Sequence, residues 1–255
     1  MPCRIVSSGP DGLSYNAPRK ETRKGGNLNN MQVARLLFTS PTQAFTALKE
    51  KPVFGLPMFL TLVCLAAMTA TYYAKVDIAW LQDQTLSTVR NLTPDQQKVM
   101  AGSMTRPVML WTSTIAAPIA ISVVMVLGAL YFLIAGNITN VRYSFKHWFA
   151  FSWWASSPQI IGSIASILIL VLSSSTQIGS SAMQPLSLNE LVFHKTMSEP
   201  GYSLLSSLGL IQVASAWLTY VGVKAWSGRS TTFCLIFALL PTVLVYGIWA
   251  VLAFR

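Results

Sequence analysis

No aspartate or glutamate interrupts the chain between Asp95 and Glu190, nor anywhere after Glu199. An ionised carboxylate deep in a bilayer is costly, so long stretches without one suit a chain that crosses lipid. The clearest case is the C-terminal stretch, where apolar arms over 203–226 and 231–254 flank the polar turn Ser227-Gly228-Arg229-Ser230. Each arm holds 24 residues. As a helix that is about 36 Å, against about 30 Å of hydrocarbon. The turn is too short to recross, so the pair reads as a membrane hairpin.

Composition extends this to the rest of the chain. Hydrophobic residues make up 53% and charged residues 10%, against about 25% charged in an ordinary soluble chain. The net charge of +10 would suit nucleic acid, but the basic residues gather at the ends of apolar runs and in the N-terminal segment, where an anionic leaflet attracts them. No nucleic-acid partner is expected. Cys3, Cys64 and Cys234 are too scattered for a disulfide framework or a metal site. The polar N-terminus lacks the apolar run of a cleavable signal peptide, which leaves the first span to direct insertion.

The expected fold is an all-α polytopic transmembrane bundle of five spans, with the N-terminus inside and the C-terminus outside. Residues 1–30 read as a disordered basic tail carrying Arg19, Lys20, Arg23 and Lys24, with Met31 a candidate native start. Residues 31–52 read as an interfacial amphipathic helix with Lys49 and Lys51 beside its oily face, opened by a Ser40-Pro41-Thr42-Gln43 capping pattern and ended by Pro52. The transmembrane domain occupies 53–254, with spans at about 54–74, 108–135, 148–172, 203–226 and 231–254. Between the first two spans, 75–107 is polar, mixed in charge and expected to be helical, with a second capping pattern from Thr93 to Gln96. The linker before the third span is basic, through Arg142 and Lys146. Trp148, Phe149, Phe151, Trp153 and Trp154 then read as an aromatic girdle at headgroup depth. Pro158 is expected to kink that span, with neighbouring serines re-satisfying the freed carbonyls. With the N-terminus inside, 12 basic residues fall inside and 6 outside, the distribution the positive-inside rule favours.

The spans offer little for chemistry. All four aspartates lie in the tail or the first outer loop, which removes an intramembrane aspartyl pair. No zinc-binding H-E-x-x-H and no nucleophile-elbow motif occurs. His147 and His194 belong to opposite faces of the membrane and cannot share a metal. Glu190 and His194 stand at i, i+4, two ligands without a third. No catalytic, cofactor-binding or metal-ligating residue is therefore assigned. Inside the spans, Ser156, Ser157, Pro158, Gln159, Gln212 and Ser215 either line a polar path or serve close helix packing, with packing preferred. The pairs Ala116/Ala120, Ser152/Ser156, Gly162/Ser166 and Ser215/Thr219 have the small-x-x-x-small spacing that packing uses.

Three stretches carry a resemblance. They are Leu36-Leu37-Phe38-Thr39-Ser40-Pro41-Thr42-Gln43-Ala44-Phe45, then Ser144-Phe145-Lys146-His147-Trp148-Phe149-Ala150 running into Ala155-Ser156-Ser157-Pro158, and Leu208-Gly209-Leu210 with Trp217, Gly222 and Gly228-Arg229-Ser230. In order and spacing they resemble the Yip (Ypt-interacting protein) family of five-span membrane proteins, in its short bacterial branch, over about Met31 to Ala253. The resemblance implies a cytoplasmic N-terminus and an outward C-terminus. In eukaryotic relatives it implies adaptor roles for small GTPases in membrane traffic. This chain has no Asp-Leu-Tyr-Gly-Pro stretch of the kind those relatives carry, so GTPase binding is not expected here. The expected function is a non-enzymatic adaptor, assembly or membrane-organising role in a bacterial inner membrane, with a eukaryotic endomembrane as the alternative location. The expected partners are anionic inner-leaflet headgroups and another membrane protein or a second copy. The alternative function is a component of a transporter or channel for a small or amphiphilic solute.

Overall fold

A computed structural model describes residues 29–89 and 93–253. The described residues are mostly helical, joined by short turns except for the long segment between Leu172 and Tyr202.

The chain enters through α1 (Asn30–Thr39) and α2 (Pro41–Glu50), separated by Ser40 alone. Asn29 and Gln32 form the capping box of α1. Ser40 makes no side-chain cap bond, so the box expected with Gln43 does not form. Its backbone serves both helices instead: the amide donates to Leu36 O at 2.7 Å, and the carbonyl accepts from Gln43 and Ala44. Val33, Leu37, Ala44, Phe45 and Leu48 are buried, at helical spacing on the two inner faces. They pack on protein: the Trp226 indole N–H donates to Phe45 O at 2.7 Å, and the Phe45 and Phe151 rings lie 5.2 Å apart. The expected single interfacial helix is thus a docked pair, which leaves Thr42, Gln43, Thr46, Lys49 and Glu50 outward.

α3 (Gly55–Lys75) follows the expected first span, and the mixed-charge segment after it folds as α4 (Ile78–Thr88) and α5 (Pro94–Ser103). Thr93 and Gln96 form the second capping box as expected. α6 (Arg106–Thr139) is longer than the expected second span and closes on Asn140 in the left-handed conformation, φ 61. α7 (Phe145–Ala155) and α8 (Pro158–Leu172) are one apolar rod broken at Ser156-Ser157. Pro158 cannot donate to Trp154 O, and the Ser157 amide does so instead at 3.2 Å. The repair comes from backbone; the expected serine hydroxyl is not used there.

The segment after α8 contains a 3-10 turn at Ser180–Met183 and a π turn at Asn189–Phe193. Three helices complete the chain: α9 (Tyr202–Ser207), α10 (Leu210–Ser227) and α11 (Thr231–Ala253). The arm expected as one helix over 203–226 is divided at Leu208-Gly209, where the chain pairs antiparallel with Ser187. Leu188 N donates to Leu208 O at 2.6 Å and Leu210 N to Leu186 O at 3.0 Å. A Cβ on Gly209 would stand 2.7 Å from Ser187 Cα, so only glycine allows the strands this close. α3, α6, the α7–α8 rod and α11 are long and apolar enough to cross a membrane. α10, diluted by Gln212 and Lys224, falls short of that measure.

Neighbouring rods run in alternate directions. Arg106, opening α6, donates to Tyr73 O and Val76 O at the end of α3, at 3.0 and 2.9 Å. Arg229, in the α10–α11 turn, donates to Thr139 O at the end of α6. Tyr143, leading into α7, donates from its hydroxyl to Trp226 O at 3.1 Å. The turn end with Arg142, Lys146 and Arg229 is called the basic end below, and the opposite one the loop end.

The main core lies towards the basic end. Phe45, Phe132, Trp148, Phe151, Trp226 and Phe237 meet there with ring centroids about 5–6 Å apart, the separation aromatic pairs prefer. Trp148, Phe151 and Trp153 are 0% exposed and Trp154 2%. These rings are core, not a girdle at the headgroups, because α2 and α10 cover the face of α7 that carries them. A smaller cluster at the loop end joins Tyr72, Val76, Leu81, Met104, Leu170 and Ile178.

Candidate functional site

The five polar residues and the proline weighed as a polar path or as packing do not form one line. Ser156 Oγ points across to Met125 Sδ at 3.5 Å, and Ser157 belongs to the backbone repair of the break. Pro158 is buried at the start of α8. Ser215 supplies a carbonyl to the Thr219 hydroxyl at 2.7 Å, one turn along α10.

Gln159 and Gln212 do meet. With Gly162, Gln184, Ser187 and Ile211 they line a cavity of about 20 Å³ where α8, α10 and the 184–187 segment converge. A single water needs roughly 10–15 Å³ and two or more polar partners, so the cavity fits one water and no solute. Around it the helices are close. A Cβ on Gly162 would lie 3.1 Å from Ile211 Cγ1, and Ser166 Oγ donates to Gly162 O at 2.9 Å and Met183 O at 2.8 Å. Ser152 is buried against its own helix, donating to Trp148 O at 3.0 Å. Ala116 and Ala120 are exposed on α6, so that pair packs no helix of this chain.

Glu190 and His194 are not brought together. They belong to the π turn, and His194 leaves it in the left-handed conformation, φ 50. Among the described residues no hydrogen bond joins the two, and no group of three potential metal ligands occurs. The organising residue of this loop is one the sequence reading passed over, Asn189, 1% exposed. Its side chain accepts from the Lys195 amide at 3.0 Å and donates to Lys195 O at 3.1 Å. Nearby, Glu199 accepts from the Thr196 amide at 2.6 Å and the Thr196 hydroxyl at 3.1 Å. Those bonds hold its carboxyl below the usual range, and the Lys195 charge adds to the effect.

Lys49, Lys51, Arg142 and Lys146 are all exposed at the basic end. Lys49 Nζ sits 5.6 Å from the centre of the Tyr143 ring, and Arg142 donates to Asn140 Oδ1 at 3.1 Å. Neither contact neutralises the cation. Arg19, Lys20, Arg23 and Lys24 lie outside the described residues. At the loop end two cations, Lys75 and Arg106, are committed to the fold. Lys75 Nζ donates to Leu170 O at 2.6 Å and also to Ser173 O, and Arg106 holds the end of α3. Both complete carbonyls that a helix C-terminus leaves unpaired. A lysine ending an apolar run signals such a role, but the acceptor on another helix cannot be read from it.

Bilayer-length apolar helices, packed through rings, small residues and side-chain-to-carbonyl bonds, define an all-helical integral membrane protein. Residues 35–252 match the family described as the Yip1 domain. The chain belongs to that family. No curated protein and no solved structure matches it.

Proposed function

We propose that this chain is a five-pass protein of a bacterial inner membrane, N-terminus inside and C-terminus outside, with a non-enzymatic adaptor or assembly role. α10 serves as the fourth pass: its 18 residues reach about 27 Å, Gln212 lines the small cavity against α8, and Lys224 sits at the turn end, bonded to Thr231. The excess of basic residues at one end supports placing that end inside. The bacterial placement rests on the sequence resemblance, with a eukaryotic endomembrane as the alternative.

One observation carries the functional reading: exposed cations gather at the basic end, whereas the polar residues within the membrane enclose room for a single water. Recognition therefore belongs to the basic surface, through anionic headgroups and another membrane protein or a second copy. Small GTPases and nucleic acid are not among the proposed partners.

Photocrosslinkers at positions 142 and 146, in membranes of the native host, are expected to capture a discrete membrane-protein partner or a dimer. Arg142→Glu with Lys146→Glu should abolish it. Solute uptake into proteoliposomes that falls with Gln159→Leu would overturn the reading in favour of transport. For topology, a thiol reagent outside should label a cysteine at 83 and miss one at 142; the reverse pattern would defeat the inside N-terminus.

A further inference from the structure

Phe38 is 77% exposed, in a chain whose Phe45 and Phe151 are wholly buried. A single exposed ring needs no explanation, but this one stands between two apolar grooves. The smaller, about 150 Å³, runs between α1 and α3 over Leu56, Pro57 and Leu60 to Trp154. The larger, about 320 Å³, runs past Pro41 and Pro158 to Ala214 and Trp217 on α10. Leu37, Phe38, Ser157 and Ile161 border both. The break between α7 and α8 thus lies at the floor of the notch, where buried prolines at 57 and 158 fix its shape.

A third depression, about 480 Å³ and largely apolar in surface, adjoins the smaller groove across Ala34 and Phe38, and Asn29, Gln32 and Arg35 line it beside Met31. Arg35 stands one helical turn before Phe38 and is exposed. Lys49 and Lys51 are exposed on the adjoining helix and its cap, where the acid present is Glu50. Two apolar channels and a third basin that carries the Arg35 cation and the amides of Asn29 and Gln32, all meeting at a single side chain, are complementary to an amphiphile with two tails and an anionic head.

We propose that the Phe38 notch is a site for one anionic diacyl phospholipid, with an acyl chain on each side of the ring and the phosphate beside Arg35. Bulk lipid wets any exposed helix; this site differs in having a walled place for each part of the molecule, and volumes within the range of ligand sites, about 300–1,000 Å³ for the larger groove and basin. Exchange from the notch is accordingly slower than from the open face of α6 or α11. The site is independent of whether the basic end also recruits a protein.

The test uses the full chain in nanodiscs of equal phosphatidylglycerol and phosphatidylcholine, released into the gas phase so that retained lipids are counted by native mass spectrometry. One retained phosphatidylglycerol per chain is expected, preferred over phosphatidylcholine by about tenfold or more, a difference the lipid ratio reads directly. Arg35→Glu should remove the preference. Ala214→Phe, which fills the larger groove, should remove the retained lipid, while Lys98→Glu, exposed on α5 at the loop end, should leave it in place. Should Ala214→Phe lose helical circular dichroism, Ala34→Phe in the smaller groove takes its place. Equal retention of the two lipids by the unaltered protein, no retained lipid, a single-chain lipid or a peptide in its stead, or retention indifferent to both Arg35→Glu and the groove-filling variant would each overturn the proposal.

Discussion

At the basic end, Trp148, Phe151 and Trp226 bury their rings against Phe45, Phe132 and Phe237, and five helices, α2, α6, α7, α10 and α11, meet on one apolar mass. At the loop end, Tyr72, Lys75 and Arg106 reach across to main-chain carbonyls, Tyr72 through its hydroxyl to Ile178 O at 3.0 Å. Lipid provides no hydrophobic drive for helices to associate, so what remains is dispersion between well-fitted surfaces and hydrogen bonds. The basic end rests chiefly on packing, with Tyr143, Trp226 and Arg229 adding bonds to carbonyls, and the loop end sets its tethers around a smaller apolar cluster. Ring packing is cumulative and spreads a loss over many neighbours. A tether is directional and fails alone, but it secures only the helix end it touches.

The sharpest way to break this contrast is to remove a ring. Trp226→Ala deletes contacts with several rings and the bond to Phe45 O, and should cost about 3–5 kcal/mol of global stability in a denaturant titration in detergent. A loss no larger than that from a tether variant would refute the distinction. Next in size is Gly222→Ala. A Cβ there would stand 2.8 Å from Phe45 Cδ1 and closer still to the Phe151 ring, so overpacking should cost about 1–3 kcal/mol in the same titration.

Lys75→Met should cost about 1 kcal/mol or less and act locally. Hydrogen exchange at the last turn of α8, Ile169–Ser173, is expected to accelerate while the basic end is unchanged. A global drop in protection would show the two ends to be one cooperative unit. The smallest effect belongs to Glu199. Its folded-state pKa is lowered, so its contribution is present above the unfolded carboxylate pKa and is lost as pH falls through the lower folded value. Thr196 amide protection should therefore persist into the usual carboxylate range and fade only below it, and Glu199→Gln should weaken it at neutral pH.

Much of the architecture is written locally in the chain. The α7–α8 break was legible because a proline inside an apolar run has only one effect on the ladder, and Thr93–Gln96 because a capping box is complete within four residues. The division at Leu208-Gly209 was not: a lone glycine among apolar residues looks tolerable in a helix, and the partner that draws it into an extended conformation, Leu186–Ser187, is distant in sequence. The tryptophans of α7 misled for a different reason. Rings at a headgroup and rings in a core are the same residue types at the same spacing, and only the arrival of α2 and α10 decides between them. At the candidate site, the pairing of Gln159 with Gln212 could be guessed from their positions on two spans, whereas the notch at Phe38 depends on four separate segments.

Under the five-pass topology proposed above, α10 carries a consequence for biogenesis. Its sequence is less apolar than that of the other rods, and a translocon samples each segment before its packing partners exist. Its entry into the bilayer should then depend on α11, arriving directly behind as the stop that anchors the pair. Translated into microsomes, a chain ended after Ser230 is expected to leave Leu210–Ser227 on the lumenal side, where an engineered glycosylation acceptor in the turn would be modified, while the complete protein would escape modification at the same position.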